Sequence, residues 1–86
     1  MKREDAKKLD EIIQTDLPDI EKLAQTFVWI TSRNIEHAEH EIELARAIGD
    51  QESVIRGQIK METMKHVRSI FQDCYLRVTR RRAWDE

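Results

Sequence analysis

The sequence predicts an all-α fold: a short N-terminal helix, then a long antiparallel helical hairpin that pairs with a second copy as a four-helix-bundle-like homodimer. Three observations predict it. From Ala24 to Gly49, a line read in sevens carries only short side chains, Ala24, Thr31, Ala38 and Ala45, beside a second line of Val28, Ile35, Ile42 and Gly49. A heptad seam with one small row admits a closely approaching helix. The chain after Gly49-Asp50 supplies that helix. Folding back there sets Ala45 opposite Val54, Ala38 opposite Met61 and Ala24 opposite Tyr75, with Ile42 on Gly57, Ile35 on Met64 and Val28 on Phe71. Large meets small at most levels, as a close-packed core requires. Finally, two glycines, one proline and 37% charged residues among 86 fit helices with a solvated outer side.

The first helix is expected over about residues 3–15, where Ala6, Leu9, Ile13 and Leu17 recur at helical spacing and Ile12 widens the apolar side. Pro18 interrupts that line. Proline is tolerated in a first helical turn, and Asp19 and Glu21 suit the positive end of a helix, so the second helix starts near 18 and runs to about 48. A flanking stripe on it, Phe27, Ile30, Asn34, His37, Glu41, Leu44 and Ile48, is apolar at both ends and polar in the middle. Gly49 fits the left-handed position that closes a helix, and Asp50 or Ser53 can cap the next. The third helix is expected over about 51–82. Besides its seam it has a second stripe on a different side, Ile55, Ile59, Glu62, His66, Ile70 and Cys74. One neighbouring helix cannot cover both sides.

Length makes the same point. A helix of about 30 residues spans roughly 45 Å, whereas a compact globule of this chain length has a radius of gyration of about 12 Å. The hairpin is therefore a rod that a short first helix covers only in part. A second copy related by a two-fold axis buries the rest most economically. No repeat or linker divides the chain, so residues 1–86 are expected to form a single helical domain.

Composition excludes several functions. The net charge of −2 does not suit a general polyanion binder, and a single cysteine permits no internal disulfide. No apolar run approaches membrane-spanning length and the N-terminal residues lack the apolar core of a signal peptide, so a cytoplasmic address with no membrane partner is expected. Catalysis has little support: Cys74 reads as a small core residue, and neither a phosphate-binding glycine loop nor a nucleophile–base pair is present. No catalytic residue and no cofactor are expected.

Two clusters could carry chemistry. Glu36, His37, His40, Glu62 and His66 are residue types that bind metals inside helical bundles, but the Glu-x-x-His spacing of carboxylate di-iron bundles does not occur. A solvated face with helix-stabilising pairs outweighs a metal site, and no metal is expected. At the C-terminus, Arg77, Arg80, Arg81 and Arg82 precede Trp84. Continued as helix, Arg77, Arg80 and Arg81 would share a face. Arginines and an aromatic can hold phosphates and a base, yet cations also belong at a helix C-terminus. Trp29 stands outside the seam, where tryptophans often anchor interfaces, with packing against the first helix as the equal alternative. The expected function is a non-enzymatic, homo-oligomeric helical interaction or adaptor protein. It would bind another macromolecule, a protein first, through Trp29, Arg77, Arg80, Arg81, Arg82 and Trp84. A nucleic-acid-binding regulator using the arginine cluster is the alternative, and a metal-binding bundle a more remote one.

Overall fold

Three helices form in the expected order in the structure, a computed structural model that describes residues 3–84: α1 (Arg3–Ile13), α2 (Asp19–Ala47) and α3 (Gln51–Thr79). The two long helices lie against each other along their length, and α1 packs on α2 without reaching α3. The molecule is elongated, 47 × 30 × 16 Å, with a radius of gyration of 15.4 Å.

The turn between α2 and α3 is written in local chemistry. Gly49 takes φ +73°, its N–H donates to the carbonyl of Arg46, and the Asp50 N–H donates to the carbonyl of Ala45. This double closure satisfies carbonyls that the helix end would leave unpaired, and its left-handed residue favours glycine. Asp50 is the cap that α3 uses. One carboxylate oxygen accepts from the Ser53 N–H at 3.1 Å and the other from the Ser53 hydroxyl at 2.6 Å. Those bonds, the hydroxyl one foremost, hold the Asp50 carboxyl below its ordinary pKa. At the start of α2, Pro18 offers no side-chain cap, but its carbonyl accepts from Glu21 and Lys22.

The register of the hairpin follows the expected pairing. Ala24, Thr31, Ile35, Ala38, Ile42 and Ala45 are the buried residues of α2, and Val54, Gly57 and Tyr75 those of α3. Ile42, Ala45 and Val54 form one core cluster with Met61 packed on it. A methyl placed on Gly57 would lie 2.6 Å from Ile42 Cγ1, so the two helices touch there with no room to spare. Thr31, the polar member of the small row, donates its hydroxyl to the carbonyl of Phe27 at 2.8 Å, which satisfies it while buried.

Two boundaries and one facing differ from expectation. α1 ends at Ile13, two residues early, and the Thr15 hydroxyl donates to the carbonyl of Ile12 as the chain turns towards Pro18. Its docked residue is Ile12, 8% exposed, whereas Ile13 is 55% exposed. Position 12 rather than position 13 therefore marks the inward side. α3 ends at Thr79, not near 82, because Arg80 enters the left-handed region at φ 62°. The Thr79 hydroxyl accepts from the Arg81 N–H at 3.2 Å, fixing the reversal that sends the tail back along the hairpin.

Candidate interaction surfaces

The C-terminal tail closes the open end of the hairpin. Phe27 of α2 and Phe71 of α3 stack with centroids 4.3 Å apart and planes 11° from parallel. Trp84 joins them, 5.9 Å from Phe71 and 6.5 Å from Phe27, with Tyr75 on the other side of Phe71 at 6.3 Å. Gln72 fastens the tail at two points, donating to the Trp84 carbonyl at 2.8 Å and accepting from the Ala83 N–H at 2.7 Å. The Arg68 guanidinium lies 5.2 Å from the Trp84 ring centroid. Trp84, expected to face a partner, is thus half-buried in the protomer's own aromatic cluster.

The arginines do not form the single helical patch that continuing α3 would have made. Arg77 remains on α3 and pairs with Asp73 at 3.2 Å. Arg80 sits at the left-handed cap, and Arg81 crosses to the start of α2, where it donates to Glu21. Arg82 is exposed. Asp85 and Glu86 lie outside the described residues.

Glu21 also accepts from the Tyr75 hydroxyl. Tyr75 is 4% exposed, so this polar contact at the end of the core joins both long helices and the tail. The bond to Glu21, followed by burial and the negative charge of Glu21, holds the phenol above its ordinary pKa, against the opposing charge of Arg81. A raised phenol pKa contributes stability that is complete below about pH 10 and is lost as pH climbs through the folded value. Melting temperature should therefore fall more steeply above pH 10 in the wild type than in Tyr75→Phe. Parallel curves for the two proteins would refute this coupling.

Trp29 is covered on one side by α1. Lys8 Nζ and Arg33 Cζ each lie 5.9 Å from its ring centroid, and Arg33 Nε reaches Asp5 of α1 at 3.0 Å. Trp29 thus helps to dock α1, and only part of its ring remains for a partner.

The middle of the hairpin is polar. His37 Nδ1 lies 3.2 Å from Glu41, which also receives Lys60 of α3 at 3.5 Å, and Glu36 takes Arg33. His40, Glu62 and His66 are exposed. Among the described residues no three His, Cys, Asp or Glu side chains come together as a metal-ligand group.

The outer side of α3 is uncovered. Ile55, Ile59 and Ile70 are 56, 61 and 51% exposed, and α1 does not approach them. Cys74 is exposed on the same side as a free thiol, which corrects the expectation of a core residue. An apolar stripe alone cannot tell a core from an uncovered face. Leu44 and Ile48 extend the exposed apolar surface on α2, beside a groove lined by Ser53, Arg56, Gly57 and Lys60. Among the described residues no helix is long and apolar enough to cross a membrane.

No family model matches the chain, and searches of curated proteins and of solved structures find no match either.

Proposed function

We propose that the protein is a non-enzymatic helical interaction protein that works as a four-helix-bundle-like homodimer and presents its remaining surface to another macromolecule. The observation that carries the proposal is the row of isoleucines on the outer side of α3, more than half exposed on a helix whose opposite side already packs on α2. Single exposed aliphatic residues are ordinary on protein surfaces, but a stripe running along one helix marks a contact face. The exposed Arg80 and the uncovered part of Trp29 are left for a protein partner.

Sedimentation equilibrium at micromolar concentration tests the reading. The expected mass is twice that of the 10.3 kDa chain. A single species at the chain mass would refute the homodimer.

A further inference from the structure

The outer side of α3 carries a pattern that specifies its occupant. At 100° per residue, Glu52, Ile59, Ile70 and Arg77 fall on one line within about 20° of each other. That line lies nearly opposite the buried row of Val54, Gly57 and Tyr75. The spacing is symmetric: seven residues from Glu52 to Ile59, eleven to Ile70, and seven more to Arg77. The chemistry is symmetric too, an acid and an isoleucine mirrored by an isoleucine and a base. Turning such a line end over end brings each charge onto its opposite and each isoleucine onto an isoleucine.

We infer that a second copy of this chain packs antiparallel on α3, with the two-fold axis passing beside Met64 and Lys65. The inference rests on the homodimer reading above and adds which helix meets which, and in what register. Ile59 then faces Ile70 of the partner subunit, and Glu52 faces Arg77 of the partner subunit. Arg56 comes level with Asp73 of the partner subunit, and Ile55 with Cys74 of the partner subunit, the members of each pair on opposite flanks of the line. Thr63 meets His66 of the partner subunit close to the axis.

Each end of the line is already a charged couple within its own helix. Arg56 lies 3.1 Å from Glu52, and Arg77 lies 3.2 Å from Asp73. All four side chains are well exposed and able to reorient. Antiparallel contact joins one couple to the other in a cluster of alternating sign. A parallel contact in register would set Glu52 on its own copy and Arg77 on its own copy, and like charges across an interface oppose that pairing. The isoleucines supply the area removed from water and the charges choose the orientation. A heterologous partner would require no such mirrored spacing, whereas an isologous interface does.

Cysteine cross-linking reads the register directly. Ile59→Cys and Ile70→Cys are made separately, each with Cys74→Ser. Both isoleucines are exposed in the protomer, and circular dichroism confirms that the helices are retained. A disulfide needs Cβ atoms about 3.5–4.5 Å apart, a distance that facing positions on antiparallel helices can meet. Mild oxidation of the two variants mixed should give a covalent dimer that neither gives alone. Within either variant the like cysteines are eleven residues apart along the seam, about 16 Å. Covalent dimer from Ile59→Cys alone, matching the mixture, would overturn the antiparallel register. No covalent dimer from a mixture that sediments as a dimer would overturn the α3 contact and leave the homodimer standing. A mixture that sediments as monomer would remove both.

Discussion

Gly57→Ala should destabilise the hairpin, and the same substitution in an Ile42→Ala background should stabilise it. Glycine inside a helix costs about 1 kcal/mol relative to alanine, so propensity alone favours the change in both backgrounds. In the native protein the new methyl would lie 2.6 Å from Ile42 Cγ1 and 3.4 Å from Cδ1. Ile42 is buried and β-branched, and a β-branched side chain in a helix has little freedom to turn away. Overpacking of this kind costs about 1–3 kcal/mol, which equals or exceeds the propensity gain. Ile42→Ala alone should cost about 2–5 kcal/mol through lost burial and the cavity left behind. In that cavity the clash is gone, so Gly57→Ala recovers up to about 1 kcal/mol. Urea unfolding of the four proteins at one fixed concentration gives the cycle; fixed concentration matters because the proposed dimerisation would add to apparent stability. Strictly additive effects would mean that residues 42 and 57 do not meet.

The hairpin was legible because its instructions are local or strictly periodic. Gly49 and Asp50 announce the turn through conformational freedom and capping chemistry that act within a few residues. The small row opposite larger side chains sets the register, and Gly57 against Ile42 shows how closely it is followed. The facing of α1 was not legible. In eleven residues Ile12 and Ile13 offer two apolar lines 100° apart, and docking against α2, with Asp5 held by Arg33, decides between them. Nor was the end of α3 legible. Arginine favours helix, so local propensity carries the helix on towards residue 82. What ends it is the long-range attraction of Trp84 to Phe27 and Phe71, together with Arg81 reaching Glu21. The same attraction took two of the expected contact residues, Trp84 and Arg81, into the protomer's own structure. The outer stripe of α3 was visible in the sequence. Only the structure shows that α1 leaves it bare.

Ile59→Glu and Ile70→Glu should each dissociate the dimer while leaving the protomer folded. Both side chains are more than half exposed in the isolated chain, and a surface change of this kind normally alters folding stability by less than about 0.5 kcal/mol. In the proposed homodimer the same positions would be desolvated at the centre of the contact, and every substitution would occur twice. A charge forced into an apolar contact without a partner costs about 2 kcal/mol or more at each occurrence. Two occurrences amount to about 4 kcal/mol, on the order of a thousand-fold in the dimer dissociation constant. Lys60→Glu places the same carboxylate one residue from Ile59 but on a different side of α3, where Lys60 reaches Glu41 at 3.5 Å. It should replace that exposed ion pair, worth no more than about 1 kcal/mol, with a like-charge contact to Glu41, and leave the dimer largely intact. Combining Ile59→Glu with Ile70→Lys in one chain sharpens the test. In the antiparallel register each new carboxylate meets a new ammonium of the partner subunit, so part of the lost affinity should return. Sedimentation equilibrium over a concentration series, with circular dichroism as the check on folding, reads all four proteins. If Lys60→Glu dissociates the dimer as strongly as Ile59→Glu, the contact lies on the flank of the hairpin that α2 shares, and the outer side of α3 faces solvent.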